Sequence, residues 1–209
     1  NIRNTHCLHI EDISNYLHFD INENKYIVLI KHPLSSEKED AYIQMKTTLV
    51  AVEEFCKETS IKAVGIYPNT DPGSFDILNA IKESEGSEYV KFYKNLPREI
   101  FINLLRKSLA LVGNSSMGVL EAPFYKLPVV NIGNRQKGRL NAGNVEFVEY
   151  NNEKIKEALS KACFDARYRG RVRGLESPYG DGGASGKIKD ILLSINRSDK
   201  KWYVKKRLC

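Results

Sequence analysis

Short apolar runs recur along the chain, and each is too brief to be a helix. They are Tyr26-Ile27-Val28-Leu29-Ile30, Ala63-Val64-Gly65-Ile66-Tyr67, Tyr89-Val90-Lys91-Phe92, Leu109-Ala110-Leu111-Val112, Pro128-Val129-Val130-Asn131-Ile132 and Val145-Glu146-Phe147-Val148. Continuous rather than alternating apolar runs mark strands covered on both faces. The stretches between them read as helices. Ser35-Ser36-Glu37 offers cap chemistry for an amphipathic helix to about Lys57, and helical patterns follow at 74–82, 97–107, 117–125, 152–163 and 185–195. Pro97 suits the first turn of its helix, where a missing N–H costs nothing. Strands alternating with helices predict an α/β fold, a Rossmann-like doubly wound parallel sheet. Its expected extent is residues 26–196. Residues 1–25 are polar without a steady period and are set apart as an N-terminal extension, and 197–209 as a basic tail.

Composition narrows the class. Hydrophobic residues make up 42 % of the 209, enough for a core, and no apolar run approaches a membrane span. The first residues lack a signal-peptide core, so the expectation is a soluble, cytoplasmic protein with no membrane partner. Cys7, Cys56, Cys163 and Cys209 are too far apart for a zinc knuckle or a disulfide framework. His6 and His9 flank Cys7 without further ligands nearby, so no metal is expected. The net charge is +6. Apart from Lys200, Lys201, Lys205, Lys206 and Arg207, the cations are scattered, which argues against a nucleic-acid surface and suits an anionic small substrate.

In such sheets ligands bind in the loops after the strands. After the first strand comes His32, which can hydrogen-bond a phosphate or sugar hydroxyl; alone it reads equally as an ordinary loop histidine. After the second comes Tyr67-Pro68-Asn69-Thr70-Asp71-Pro72-Gly73-Ser74, whose Asn69 and Asp71 also serve as turn residues. The loop after 109–112 carries most: Gly113-Asn114-Ser115-Ser116-Met117-Gly118-Val119-Leu120-Glu121. Its first glycine ends the strand, Ser115 and Ser116 open a helix, and Gly118 is expected to let a ligand approach the backbone. Free N–H groups at a helix start suit a diphosphate, and Glu121 suits ribose hydroxyls. Arg135, nearest the end of the fifth strand, is the candidate for planar contact with a phosphate. Gly180-Asp181-Gly182-Gly183 has the glycine density of a dinucleotide loop but follows no strand, and a turn into the last helix is expected there.

These segments resemble the C-terminal half of the hydrolysing UDP-N-acetylglucosamine 2-epimerases. The similarity spans about residues 26–195, and GNSSMGVLEAPFYKLPVVNIGNRQKGRLNAGNV (113–145) follows the family run almost position by position. YPNTDPGS (67–74) and SPYGDGGAS (177–185) match two further segments. At His32-Pro33-Leu34-Ser35-Ser36-Glu37 the chain is similar to the hydrolysing branch's His-Pro-x-Thr-x-Glu rather than to the His-Arg-Arg-Glu-Asn of the non-hydrolysing branch. The resemblance implies the C-terminal lobe of a two-lobe GT-B architecture, with UDP or UDP-N-acetylglucosamine as ligand and no cofactor. It implies that Ser115 and Ser116 hold the diphosphate, Glu121 the ribose, and His32 and Arg135 the phosphate and sugar side. Asn69 would line the cleft and the backbone around Leu96 would meet the uracil, with His32 a candidate catalytic residue.

The implied reaction is anti elimination of UDP followed by hydration, giving N-acetylmannosamine for sialic-acid-type or polysaccharide biosynthesis. The family's acid/base carboxylates lie in the first lobe, and this chain is about half the family's length. It is therefore expected to need that lobe for turnover, to bind UDP weakly alone, and to form homo-oligomers when whole. The basic residues that follow Asp-x-Gly-Ser in the family's sialic-acid-regulated animal relatives are replaced by Phe75 and Asn79, so that feedback site is not expected. The alternatives are a non-hydrolysing epimerase, a relative acting on a modified UDP-sugar, and a GT-B glycosyltransferase or nucleotide-sugar-binding module.

Overall fold

The structure is a computed structural model that describes residues 2, 5–23, 25–180, 182–196 and 198. The basic cluster at 200–207 and Asp181 lie outside the described residues. Ile2–Pro178 form one compact unit, and the chain from Tyr179 forms another.

In the larger unit the strands are β1 (Tyr26–Ile30), β2 (Lys62–Ile66), β3 (Val90–Tyr93), β4 (Leu111–Gly113), β5 (Val129–Ile132) and β6 (Val145–Val148). They form one all-parallel sheet in the order β3-β2-β1-β4-β5-β6. The order reverses between β1 and β4, the switch point beyond whose carboxyl ends sheets of this kind form a ligand crevice. Strand β1 is buried along its whole length because it is central and covered on both faces. Ile27 and Leu29 face a core built by α2 (Ala41–Thr59), α3 (Ser74–Glu83), α6 (Asn152–Phe164) and α7 (Ala166–Gly174). Tyr26, Val28 and Ile30 face the other core, built by α1 (Ile10–Leu17) and α4 (Arg98–Arg106). The fold is thus a three-layer α/β/α sandwich, as the sequence predicts.

Three local readings need correction. The stretch before β1, which shows no steady period in sequence, contains α1, whose Ile13 and Leu17 are buried in the second core. The strap before α1 is tied to α4, where the Asn103 side chain accepts from the Leu8 N–H and donates to the His6 carbonyl. Helix α7 was not expected, because four arginines in nine residues leave little apolar signal. Asp165 caps it, and only Tyr168 and Val172 are buried. The helix expected over 117–125 is split into α5 (Met117–Leu120) and a 3-10 turn (Ala122–Tyr125). Pro123 lacks the N–H that an α-helix requires there and disfavours helical geometry at the preceding residue.

In the second unit Gly180 and Gly182 take positive φ before α8 (Ala184–Ser194), the expected turn into a last helix. Ile188, Ile191, Leu192 and Leu193 of α8 are exposed. Among the described residues no helix is long and apolar enough to cross a membrane.

Candidate functional site

The β1–β4 register places Ile30 beside Gly113, so the loops leaving these two strands start side by side. Gly113 is at φ +123, and a Cβ there would lie 2.1 Å from the Ile30 carbonyl oxygen. Only glycine allows the two backbones to approach this closely. The next residue, Asn114, is buried and braces the crevice. Its Oδ1 accepts from the His32 N–H at 2.7 Å and its Nδ2 donates to the His32 carbonyl at 2.8 Å. Its own carbonyl accepts from Arg135 Nη1 at 3.2 Å and Gln136 Nε2 at 3.0 Å. One residue thus fixes the loops after β1, β4 and β5 against each other.

His32 sits half-buried at the centre. Its Nδ1 accepts the backbone N–H of Asn69 at 3.0 Å. A neutral imidazole bonded this way carries its proton on Nε2, which makes that nitrogen a donor. Burial pulls the His32 pKa from its ordinary 6.5 down to about 4; Arg135 lowers it further and Asp71 opposes the shift. At neutral pH His32 is an uncharged hydrogen-bond donor.

Asn69 therefore acts through its backbone. Its side chain instead donates to Asp71 Oδ2 at 2.5 Å, and the same carboxylate lies 3.9 Å from Arg135 Nη2. Asp71 holds Arg135 loosely from one side while the Asn114 carbonyl holds it from the other.

At the β4 end, neither the Ser115 nor the Ser116 N–H has an acceptor among the described residues, and Ser116 makes no capping bond. The Ser115 hydroxyl accepts weakly from the Met117 N–H at 3.4 Å. A single turn of α5 has little macrodipole, so attraction for an anion here comes from these individual donors and from nearby cations. Gly118 does not serve ligand approach as expected. A Cβ on it would lie 2.8 Å from Val129, so this glycine lets α5 pack on β5. Glu121 follows α5 half-buried; burial raises its pKa and Arg98 opposes. Leu96 is buried in the loop after β3, at the same end of the sheet, with its N–H on Asn95 Oδ1 at 3.0 Å.

The structure thus brings His32, Asn69, Ser115, Arg135 and the missed Asn114, Asp71 and Gln136 to one crevice. Asn114 stands in the quoted motif, but the sequence assigns it no role of its own. Gln136 is buried and accepts from Arg139 Nη1 at 2.8 Å, so Arg139 is occupied within the loop. Lys31 was missed too, although a lysine directly after five apolar strand residues is itself a signal. Its Nζ donates to the Tyr150 hydroxyl at 3.1 Å. Among the described residues no group of His, Cys, Asp and Glu gathers as a metal site. A cavity of about 770 Å³ opens along the free edge of β3, lined by Phe19, Lys62, Lys91 and Phe92, and holds none of these groups.

Comparison with known proteins adds the following. The profile of a family described as UDP-N-acetylglucosamine 2-epimerase matches residues 4–193. A Legionella pneumophila protein named UDP-N,N'-diacetylbacillosamine 2-epimerase (hydrolyzing) is 31 % identical over 173 residues, covering 83 % of this chain and 44 % of that protein. A Campylobacter jejuni protein named GDP/UDP-N,N'-diacetylbacillosamine 2-epimerase (hydrolyzing) is 30 % identical over 153 residues, covering 72 % and 38 %. The chain therefore spans less than half the length of these relatives. In three dimensions it matches the S. aureus MnaA–UDP co-structure with a TM-score of 0.68 at 22 % identity, covering 87 % of this chain and 47 % of that one.

Proposed function

The chain belongs to the UDP-N-acetylglucosamine 2-epimerase family, and on that premise we propose that it is the UDP-binding lobe of a hydrolysing epimerase. The observation that carries this reading is the crevice between β1 and β4. There a neutral His32 donor, the Arg135 guanidinium, and the Ser115 and Ser116 amides, which have no acceptor among the described residues, lie on the loops that Asn114 joins. That donor set fits a diphosphate. Glu121, one turn beyond the serines, accepts hydrogen bonds from the ribose. The loop at Leu96 takes the uracil.

In the proposed reaction UDP leaves C1 while a proton leaves C2, and water then adds to the resulting glycal. Negative charge grows on the β-phosphate as the C1–O bond breaks. Preorganised donors stabilise that transition state more than the ground state. With its pKa near 4, His32 is a poor base at neutral pH, and its Nε2–H is best used as a donor to the leaving phosphate. Proton transfer at C2 is assigned to carboxylates of the companion lobe, with Asp71 and Glu121 used here for Arg135 and the ribose.

The hydrolysing branch is favoured by His32-Pro33 with Glu37 and by the names of the two relatives at 31 % and 30 % identity. Those names also favour a second reading for the sugar, a 2,4-diacetamido-trideoxyhexose in place of N-acetylglucosamine. Calorimetry tests the lobe: replacing His32, Arg135 or Glu121 with Ala removes a side chain assigned to the ligand and should weaken UDP binding about ten-fold each, and unchanged affinity for all three would refute the site. Product analysis on the protein joined to its companion lobe tests the reaction. Free N-acetylmannosamine or its diacetamido counterpart is expected, and a UDP-linked epimer as sole product would place it in the other branch.

A further inference from the structure

Lys31 is about 2 % exposed, among the most enclosed side chains of the protein. Enclosing an ammonium is costly unless an opposite charge is held against it. Among the described residues no carboxylate comes within ion-pair distance of its Nζ. Its hydrogen bond goes to a neutral partner, the Tyr150 hydroxyl, and the Nζ lies 4.7 Å from the centroid of that ring. The acid whose charge reaches it, Glu37 on the 3-10 turn before α2, is hydrogen-bonded to other residues: Oε1 accepts from Asn134 at 3.1 Å and Oε2 from Gln44 at 2.8 Å. From the β5 loop Arg135 faces Lys31 with like charge, and His32 beside it is neutral. Tyr150, which follows β6, is wedged against Gly133, where a Cβ would lie 2.3 Å from the hydroxyl. The ammonium therefore has little room to move toward another partner.

Resting on the reading of this crevice as a diphosphate site, we propose that Lys31 is its uncompensated cation. In the free protein it gives up its proton readily; an anion settling among His32, Arg135 and the two serines restores full protonation, so binding takes up a proton from solvent. The anion adds the negative charge that Glu37, held by Gln44 and Asn134 beyond ion-pair distance, supplies only in part.

Burial pulls the Lys31 pKa from its ordinary 10.5 to about 8, with Glu37 pulling up and Arg135 down. Linkage then fixes the size of the effect. If the bound anion restores an ordinary value, uptake is about a tenth of a proton at pH 7, half at pH 8 and nine-tenths at pH 9. The other groups around Lys31 stay silent in this window: His32 titrates far below it, and burial pushes the Tyr150 phenol far above it. A phosphate monoester has its last ionisation near pH 6, so the ligand contributes roughly nothing above pH 7.5.

The test is titration calorimetry of the chain with UDP at pH 7, 8 and 9, in two buffers of different ionisation enthalpy, for the native protein and Lys31→Met. Rising proton uptake, abolished by K31M together with a roughly ten-fold loss of affinity at pH 7, is expected. UDP binding without uptake, or uptake that persists in K31M, would overturn the proposal. Should K31M not fold, the side-chain resonances of Lys31 in the native protein decide: a midpoint near 8 that rises on saturation supports it, and an ordinary lysine midpoint sinks it. Methyl diphosphate, whose ionisations end below this window as those of UDP do, run in parallel separates the two readings. Lys31-dependent uptake with methyl diphosphate but no UDP binding would retain the cation and discard the nucleotide, and failure of both ligands to bind would discard both.

Discussion

Replacing Asn114 with Ala should damage stability and ligand binding together. Its side chain makes two hydrogen bonds to the His32 backbone, at 2.7 and 2.8 Å, from a position about 1 % exposed. Each such bond is worth roughly 1 kcal/mol net, and a partner left unpaired under a neighbouring loop costs at least as much. The expected loss is therefore about 2 kcal/mol, a fall in Tm of about 4–8 °C for a chain of this size. Arg135 and Gln136 donate to the main-chain carbonyl of the same residue, so the truncation also loosens the cation loop. UDP affinity should fall about ten-fold, the factor that accompanies roughly 1.4 kcal/mol. Asn114→Asp separates the contributions: it keeps the acceptor for the His32 N–H, loses the donor to the carbonyl and adds negative charge beside the anion site. It should fold better than the alanine variant and bind UDP worse. Asn151→Ala is the control. That side chain caps α6 on the surface, so its loss should cost about 1 kcal/mol and leave UDP affinity alone. Thermal melts and calorimetry on the three variants read all of this. An N114A protein with native Tm and native UDP affinity would refute the brace.

Other expectations follow from single contacts. Gly113→Ala forces a Cβ onto the Ile30 carbonyl at a φ that side chains avoid, and should cost more than about 3 kcal/mol in urea unfolding; an unchanged midpoint would contradict the close approach. Arg169→Met removes charge-assisted bonds to the carbonyls of Leu109 and Ala162, both at 2.9 Å. It should cost about 2 kcal/mol with no change in UDP affinity. His32 gives a pH dependence whose sign is fixed by its lowered pKa. The unfolded chain takes a proton near 6.5 and the folded one near 4, so this contribution to stability is complete above pH 6.5 and is lost as pH falls toward 4. A His32→Asn protein should lose less stability than the native one between pH 7 and 5, and equal losses would show that His32 is not held neutral.

The strand pattern was legible because it depends on local composition. A central parallel strand must be apolar on both faces, and YIVLI could be little else. The break at Pro123 was legible in principle, since proline's missing donor is a local fact. Helix α1 was less so, because two buried residues in an eight-residue segment become a pattern only when a second core receives them. Of the site, His32, Ser115 and Arg135 stood out through their places after strands. Lys31 and Gln136 did not, since burial of a polar side chain is a property of what surrounds it.

By itself the sequence determined the class of fold and the end of the sheet where the candidate site lies, since strand hydrophobicity and the glycine and proline positions act through neighbours in the chain. Only the tertiary structure decided which groups meet there. Asn114 touches His32 because β1 and β4, 83 positions apart in register, are neighbours in the sheet. That contact fixes the tautomer-bearing loop, the guanidinium and the serine amides in one crevice. The protonation of Lys31 and His32 was likewise decided by packing, because the charge a side chain can keep depends on the water and the partners that the fold leaves it.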